Sequence, residues 1–498
     1  MKSPLPTACL RAVGAALATA TLALAGCAAG PDFKPPAPPV VSGYVAQPPT
    51  TTASTSGLAG GGAQHFTAGA DIAGDWWTLF HSKPLDALVA RALENNHDLK
   101  AAQAALRVAH EDVLAQRGTF FPGVSAGFSA SREQDPSAAL APVPSNNAYL
   151  YSLFTPQLGI SYAPDLFGLN RRTRESLKAQ AEVARFQMIA TWTTLTTNVV
   201  VAVVLEASLR EQVQATRQLV DLEKHSLGIL QLRFEKGDAS KLDLAAQQAQ
   251  LAQTEAGLPA LVKQLAATRH ALAVLVGGFP DQAPAETFTL ADLHLPENLP
   301  LSLPSRLVAQ RPDVRQARAN LHAASAAIGI AAAERLPQIQ LTADAGSTAL
   351  AISKVFTSGT GFWGIAASLA APIFEGGQLM HQERAAKAAY VEAAEQYRGT
   401  VLTAFQNVAD TLVALDQDAR VLQAAATAEH AAKTTLDLSQ LQLRRGYIGT
   451  FELLAAEQSY QQAKIALVQA EANRFADTAA LYQALGGGWW HNKDLAKQ

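Results

Sequence analysis

The sequence has very little cysteine, with only Cys9 and Cys27 in 498 residues. Cys9 lies in a segment that has the features of an N-terminal export signal, so we expect it to be removed. The mature chain then keeps one cysteine and cannot form an internal disulfide, although an exported protein would be permitted one. We therefore expect packing and assembly to stabilise the fold.

Long apolar runs and a strong charge of one sign are also lacking. Beyond the signal, the longest apolar candidate is residues 199–205, whereas a membrane-spanning helix needs about 18 or more apolar residues. The mature chain is therefore either tethered to a membrane or crosses it as strands. The net charge is −3, and no basic patch stands out, which argues against nucleic acid as a partner.

The sequence contains matches to two catalytic or nucleotide-binding motifs, but neither match lies in the secondary structure that its motif requires. Residues 123–127 fit G-x-S-x-G, but Ser125 lies in an alternating strand and not at a strand-to-helix turn. Residues 359–364 fit G-x-G-x-x-G, but they run from a loop into a strand and open no helix. The histidines are scattered and have no cysteine partners. The sequence therefore predicts no enzyme, no dinucleotide-binding site and no metal site.

The N-terminal residues are typical of an export signal. Lys2 and Arg11 accompany an uncharged stretch, residues 12–25, which is followed by Gly26 and Cys27. The sequence Leu-Ala-Gly-Cys resembles the bacterial lipobox, which predicts that Cys27 becomes the first residue and carries diacylglycerol and an N-palmitoyl chain. Several acyl chains anchor a protein stably, whereas one does not. An ordinary signal peptide that happens to contain a cysteine is the alternative.

The residue after Cys27 indicates the destination. In similar lipoproteins, aspartate at this position favours retention in the inner membrane. Here the residue is Ala28. Alanine therefore implies transfer to the outer membrane.

The chain divides into a signal peptide (1–26), a lipidated N-terminal linker (27–70) and two repeats (71–290 and 291–498). The linker is assigned from its high content of Pro, Gly, Thr and Ala. The repeats are assigned from ordered matches at a nearly constant offset. In the first helix of each repeat, the matching positions are Leu99, Ala102, Leu106, Ala109 and Val113 with Val314, Ala317, Leu321, Ala324 and Ile328. Further pairs are Pro122 with Pro337, Gly168 with Gly376, and Gly237 with Gly446.

Each repeat has the same predicted plan of a helix, two short strands, a very long helix, a turn and a final helix. The helices are expected at about 84–118, 171–233 and 239–276, and at 304–335, 378–443 and 450–485. The strands are expected at about 121–131, 151–163, 337–347 and 361–371. The long helices would span on the order of 90 Å. A coiled-coil seam is predicted in the second long helix at Phe405, Val408, Leu412, Leu415, Ala419 and Leu422.

The predicted strands alternate in polarity. Val124, Ala126 and Phe128 share one face, and glycine and serine occupy the other. This pattern suits a transmembrane barrel. A half-buried soluble sheet gives the same alternation, but the predicted lipid anchor favours the membrane, with loops 131–150 and 347–360 outside the cell. Four strands cannot close a barrel and open edges cannot lie in lipid, so either a dimer with eight strands or a trimer with twelve is required.

Five motifs carry a family resemblance. They are Gly-Pro-Asp-Phe-Lys-Pro at 30–35, Trp-Trp-Thr-Leu-Phe at 76–80, Ala-Pro-Asp-Leu-Phe-Gly at 163–168, Ala-Pro-Ile-Phe-Glu-Gly-Gly at 371–377 and Leu-Tyr-Gln-Ala-Leu-Gly-Gly-Gly-Trp at 481–489. Together they resemble the TolC-like outer-membrane efflux proteins, in the lipoprotein branch (NodT or OprM type) that serves RND pumps. The resemblance covers nearly the whole mature chain.

The resemblance implies a mainly α protein with a transmembrane β-barrel. It implies a homotrimer, in which a 12-stranded β-barrel joins a 12-helix periplasmic α-barrel. The implied partners are a periplasmic adaptor (membrane fusion protein) and an inner-membrane RND pump. The implied function is passive export of small molecules from the periplasm to the exterior, with no cofactor in the duct.

The resemblance also implies a gate where the helix–turn–helix tips form the periplasmic mouth. Glu452 matches one acidic gate position, and Phe451 and Leu454 fit a hydrophobic constriction. The other acidic position of the family falls on Ala455, which departs from the pattern. Three Glu452 carboxylates would favour cations. The alternative is a solvated glutamate stabilised by the helix dipole.

Further tip residues have two interpretations each. Asp243 is the repeat-equivalent of Glu452 but could instead belong to an ion pair at the tip. Arg233, Gly237, Arg445 and Gly446 are predicted adaptor contacts, while the two glycines could equally serve the turns through positive φ.

Two other functions stay open. One is an outer-membrane duct for type I protein secretion, with the same fold. The other is a lipid-tethered coiled-coil scaffold without a pore, which conductance measurements would distinguish from a duct. The sequence does not predict the exported substrates, because the pump does most of the selecting.

Overall fold

A computed structural model describes residues 28–41, 43–134, 136 and 149–497. Cys27, the signal peptide and most of the predicted loop 131–150 lie outside these residues. The chain forms two compact units, which are described one at a time. Counting described residues only, the first unit contains those up to Pro36 together with those of Leu106–Val183 and Ala317–Gln396. The second unit contains those of Ala37–Ala105, Ala184–Gln316 and Tyr397–Gln498.

Helices dominate the described chain. The α-helices are α1 (Lys83–Asn95), α2 (His97–Gly118), α3 (Leu169–Glu235), α4 (Lys241–Leu275), α5 (Pro304–Gln310), α6 (Pro312–Ala333), α7 (Gln378–Arg444), α8 (Thr450–Ala484) and α9 (Lys493–Lys497). The strands are β1 (His65–Ala68), β2 (Gly123–Gln134), β3 (Leu150–Tyr162), β4 (Asn298–Leu301), β5 (Gln338–Ser347) and β6 (Gly361–Ala370). The predicted long helices are confirmed: α3 and α7 each have 67 residues, about 100 Å at 1.5 Å per residue.

Each repeat was predicted to begin with one continuous helix, and this prediction is wrong because the structure has two helices there in each repeat. The chain breaks at Asn96, whose side chain accepts a hydrogen bond from Leu99 N (3.0 Å) and donates one to Leu275 O (3.1 Å). In the second repeat the break falls at Arg311, because Pro312 lacks the N–H that a continuous helix would need there. Both breaks leave the predicted outer bounds nearly unchanged.

The first unit contains a four-stranded antiparallel sheet in the order β2-β3-β5-β6. The four strands match their predicted ranges to within three residues. Register places apolar residues opposite one another across the sheet: Ala126 pairs with Leu158, Leu158 with Ala345, and Ala345 with Trp363. One face of the sheet is therefore continuously apolar.

This apolar face is exposed. Trp363 is 78% and Ile365 79% exposed, and Val124, Phe128 and Leu369 are also well exposed. A contiguous apolar surface of this kind marks a membrane or partner contact. Within the described residues, no strand pairs with the outer edges of β2 and β6.

The second unit has an aromatic core. Trp76 and Phe80 are fully buried in a short 3₁₀-helix, and the Trp76 ring stacks on Tyr482 with a centroid distance of 5.0 Å. Phe80 lies against Phe475 at 6.3 Å. Two of the motifs that carry the family resemblance thus meet in one core.

Part of the predicted linker is ordered in the second unit. β1 pairs in parallel with β4, and the preceding residue, Gln64, is fully buried. The amide nitrogen of Gln64 donates to Thr478 Oγ1 at 2.9 Å. Residues near 52–68 therefore lie along the folded body.

The predicted seam of α7 is confirmed by burial. Val408, Leu412, Leu415, Ala419 and Leu422 are each at most 1% exposed, and the sixth predicted member, Phe405, is half-buried. In α3, an 18-residue window has a mean hydropathy of 1.7, long and apolar enough to cross a membrane, but 61% of it is buried within the protein. Such burial is typical of a core helix.

Candidate functional site

The first tip turn joins α3 to α4. Gly237 has φ +81°, and no atom lies within 4 Å of where a Cβ would be, so the backbone conformation and not space favours glycine. The N–H of Asp238 donates to Arg233 O at 2.8 Å. Arg233 and Gly237, both predicted tip residues, thus close the end of α3.

Asp243 has a structural role in this tip. Its carboxylate accepts hydrogen bonds from Ser240 N (3.1 Å) and Ser240 Oγ (2.6 Å), and Ser240 Oγ in turn accepts from Asp243 N (3.1 Å). This reciprocal capping box satisfies backbone donors at the start of α4. The placement of Asp243 in an acidic ring or a tip ion pair stays a prediction.

The second tip turn joins α7 to α8 and follows the same design. Gly446 has φ +75° with open space around it, and Tyr447 N donates to Gln442 O at 2.9 Å. Gly449 precedes α8 and offers no side-chain cap. Glu452 supplies the acidic side chain of the first turn of α8, where the helix dipole favours negative charge.

The three predicted gate residues have different surroundings. Phe451 is 76% exposed, and Glu452 in the first turn of α8 is exposed. Ala455, in the next turn, is also exposed. Leu454 is only 9% exposed and lies on the inner side of α8. The geometry therefore leaves Phe451 and Glu452 available to a pore, whereas the burial of Leu454 favours packing inside the protomer.

Three of the predicted adaptor contacts line one cavity in the second unit. Arg233, Arg445 and Gly446 border a space of about 720 Å³. Its remaining walls are mostly apolar or basic residues of α3, α4, α7 and α8, namely Leu222, His225, Ser226, Ile229, Leu230, Gln247, Gln440, Leu443, Arg444, Thr450 and Leu453. The cavity combines guanidinium groups with apolar walls, a surface suited to a segment that has both carbonyl or carboxylate groups and apolar side chains.

A pair of buried acids lies next to this cavity, because Ser226 and Gln247 of the cavity wall interact with one of them. Neither acid is among the residues predicted from the sequence. Glu457 of α8 and Glu223 of α3 are both fully buried. Burial, reinforced by the charge of Glu223, raises the pKa of Glu457 to about 7, while Ser226 and Gln247 oppose the shift. Burial also raises the pKa of Glu223, against hydrogen bonds from Thr254 and Gln250. The available signal was spacing, because Glu457 follows buried Leu453 by one helical turn.

The chain that follows Cys27 is held against the first unit. Ala29 N donates to Phe167 O at 2.9 Å. The buried guanidinium of Arg172 donates to Ala29 O (3.0 Å) and to Asp32 Oδ1 (2.8 Å). These contacts fix the N-terminal residues at the start of α3, close to the end of β3.

Comparison with known proteins agrees with this architecture. The chain matches the family described as outer membrane efflux protein over residues 88–278 and 303–487. It is 30% identical over 421 residues to the pyoverdine export outer membrane protein OpmQ of Pseudomonas putida, covering 83% of this chain and 88% of OpmQ. It is 28% identical over 494 residues to the outer membrane protein OprJ of Pseudomonas aeruginosa, covering 97% and 98%.

Solved structures show the same fold. The outer-membrane channel OprN matches with a TM-score of 0.81 and 25% identity, covering 93% of this chain and all of OprN. The open-state MtrE channel of Neisseria gonorrhoeae matches with a TM-score of 0.77 and 26% identity, covering 93% and 99%. This chain therefore belongs to the outer membrane efflux protein family, and it is an outer-membrane efflux channel with the TolC-like fold and a periplasmic extension.

Proposed function

We propose that this chain is the exit duct of a three-part efflux pump, works as a homotrimer, and catalyses no reaction itself. Small molecules pass through it from the periplasm, or directly from an inner-membrane RND pump, to the exterior. A periplasmic adaptor connects the pump to the tips. Relatives are named for export of pyoverdine and for toluene and antibiotic efflux, which supports small molecules as the substrate class here.

The exposed apolar face of the four-stranded sheet is the observation that supports assembly. Its outer edges at β2 and β6 are without partners in the described chain, and unpaired backbone groups are costly in lipid. Joining β2 of one protomer to β6 of the next satisfies both edges. Three protomers give twelve strands, above the roughly eight needed for the smallest barrels.

Adaptor docking is supported by the cavity at the tips. Its basic residues, Arg233 and Arg445 among them, and its apolar walls fit an adaptor segment that has acidic or carbonyl groups beside apolar side chains. Gly237 and Gly446 would then shape the surface through their positive φ. Asp243 contributes by fixing the first turn of α4.

The proposed gate consists of Phe451 and Glu452, repeated three times around the mouth. Both side chains are exposed at the start of α8, so neither is committed to packing within its own protomer. A ring of carboxylates in a narrow pore attracts cations. Leu454, predicted as part of the constriction, would support the gate from inside the protomer.

Lipidation of Cys27 belongs to the same proposal. Diacylglycerol and N-palmitoyl chains on Cys27 would anchor the N-terminus in the outer membrane. The fixed position of Ala29 beside the start of α3 supports an anchor near the ends of the strands.

Planar-bilayer recordings test the duct and the gate separately. We expect purified trimers to conduct and to prefer cations. Glu452→Ala should lower the ratio of cation to anion permeability, because three charges leave the mouth. The matched control is Glu235→Ala, which removes an exposed carboxylate from the other tip and should leave this ratio unchanged. Folded trimers that do not conduct would overturn the duct, whereas unchanged selectivity in Glu452→Ala would overturn only the gate.

A further inference from the structure

The first unit contains a basic cavity that neither the duct nor the gate uses. Its volume is about 540 Å³. The residues around it come from the end of α2, the segment leading to β2, the first turns of α3 and the middle of α6. They are Arg117, Phe120, Phe121, Arg171, Arg174, Glu175, Lys178 and His322. Four of the eight are permanently cationic and one is acidic.

The one carboxylate in the cavity is already engaged. Glu175 accepts from Arg172 at 2.7 Å and lies 2.9 Å from His322. Arg171 pairs with Asp165 at 3.3 Å. Across the described residues, no carboxylate lies within salt-bridge distance of Arg117, Arg174 or Lys178. The cavity therefore presents three cations that lack an anionic partner, and the buried Nε of Arg174 has no hydrogen-bond acceptor in this part of the chain.

The repeated fold does not require all of these cations. At the repeat-equivalent positions, the second repeat has Ala332 in place of Arg117 and Glu383 in place of Arg174, whereas Lys178 corresponds to Lys387. Neighbouring cations that lack an anionic partner within the described chain are explained by an anion that binds there.

The position of the cavity identifies the anion's source. Phe121, 62% exposed, lies at the cavity, and Val124, 71% exposed, begins the apolar face of the sheet one residue into β2. Phe33, close to the predicted acylated residue, stacks on His322 with a centroid distance of 4.3 Å. The cavity thus adjoins the point where strands give way to helices, at the headgroup level of the periplasmic leaflet. Aromatic side chains concentrate at this level of a membrane barrel, and basic pockets there recognise anionic headgroups.

We propose that this cavity binds the phosphate of an anionic glycerophospholipid of the periplasmic leaflet. Arg117, Arg174 and Lys178 supply the charge, and the guanidinium groups match phosphate geometry. The acyl chains lie along Phe121 and Val124. The site requires that the sheet crosses the outer membrane, but it is independent of the gate and of any pump.

Native mass spectrometry of the purified full-length trimer tests the site. The probes are phosphatidylglycerol, phosphatidylcholine and inorganic phosphate. The test variant is Arg117→Gln/Arg174→Gln/Lys178→Gln. The matched control, Lys83→Gln/Lys263→Gln/Lys493→Gln, removes three exposed cations that lie outside the cavity. Lys178→Gln alone is a mild variant that should keep the fold.

We expect the wild-type trimer to bind phosphatidylglycerol in preference to phosphatidylcholine. The triple variant should lose this preference by about tenfold or more, given the attraction of each basic group to an anionic surface, and Lys178→Gln should lose about threefold. The control should behave as wild type. An unchanged preference in folded Lys178→Gln and triple-variant trimers would overturn the site. Equal occupancy by millimolar inorganic phosphate, independent of acyl chains, would overturn the lipid as its ligand.

Discussion

Glu457 lies wholly inside the second unit, and no cationic side chain of the described chain pairs with it. Glu223 is the charged group that faces it from α3, and Gln247 faces it from α4. Burial and the charge of Glu223 raise the pKa of Glu457 from its ordinary value of 4.5 to about 7. The folded protein therefore binds a proton that the unfolded chain has released between these two pH values. Stability falls as the pH rises through this window, because the unfolded state binds fewer protons.

Replacement of Glu457 by glutamine should remove this contribution to the pH dependence. Glu457→Gln should raise the thermal unfolding midpoint at pH 8, by an amount equivalent to on the order of 1–3 kcal/mol, and change it little at pH 5. Tryptophan fluorescence at a fixed scan rate, on trimers in detergent, measures both midpoints. The exposed Glu235→Gln is the control and should shift neither. Equal shifts of the Glu457→Gln midpoint at pH 5 and pH 8 would show that packing and not ionisation explains its effect.

At the scale of single residues, the sequence predicts backbone requirements better than surroundings. Gly237 and Gly446 were assigned to turns from their context, and both have positive φ. Glu452 and Leu454 were assigned together, yet one is exposed and the other buried. Whether a residue of this helical turn is exposed or buried depends on which helices pack against it. The spacing of residues along the sequence does not specify those contacts.

At the scale of secondary-structure elements, the strands were predictable from their alternation of apolar and polar residues. Period-two alternation fixes both the extent and the face of a strand, since a shift of one residue would reverse every side chain. The strand ranges therefore agree with the structure to within three residues. Helix breaks are harder to predict: the helical pattern continues across Asn96, and the side-chain bond from Asn96 to Leu275 O joins residues 179 apart. The pairing of β1 with β4 was missed for the same reason, because it joins residues far apart in sequence.

Two adjacent residues of β6 test which face of the sheet meets lipid. Ile365 is 79% exposed on the apolar face, and Ala366 lies on the opposite face. Ile365→Lys should impair outer-membrane assembly, because a lysine on the lipid face costs about 2–4 kcal/mol per protomer at the bilayer midplane. Ala366→Lys should assemble and change only conductance or ion selectivity. Heat-modifiable trimers in outer-membrane fractions provide the measurement.

Two outcomes for these two variants would contradict the assignment of the lipid-facing side of the sheet. If Ala366→Lys fails to assemble and Ile365→Lys assembles normally, the two faces have been assigned the wrong way round. Normal assembly of both variants, at wild-type amounts, would argue against a membrane-spanning sheet.

At the scale of the whole molecule, duplication explains the architecture but not the differences between the repeats. Both repeats supply two strands, a helix of 67 residues and one of 35, so each contributes equally to a closed wall. Function concentrates where the copies differ. Arg117 and Arg174 correspond to Ala332 and Glu383 in the second repeat, and Glu452 starts α8 without the capping box that Asp243 forms at α4.

The proposed membrane attachment through Cys27 and the membrane crossing by the sheet are separable in this architecture. Arg172 holds the residues that follow Cys27, whereas the apolar face of β2, β3, β5 and β6 depends on none of those contacts. A Cys27→Ser variant with a conventional cleavage site should therefore still form trimers and retain part of the bilayer conductance. Its yield in the outer membrane should fall, because the proposed acyl chains would guide delivery and help to anchor the assembly.

The Ile365→Lys variant is the natural counterpart, since it keeps the acylation site but damages the lipid-facing surface. We expect lipid attachment without conductance in Ile365→Lys and conductance without lipid attachment in Cys27→Ser. Metabolic labelling with palmitate and bilayer recordings of the same purified samples measure the two properties. Complete loss of conductance in Cys27→Ser trimers that are folded and correctly located would contradict this division, because transport would then depend on the acyl chains as well as on the strands and tips.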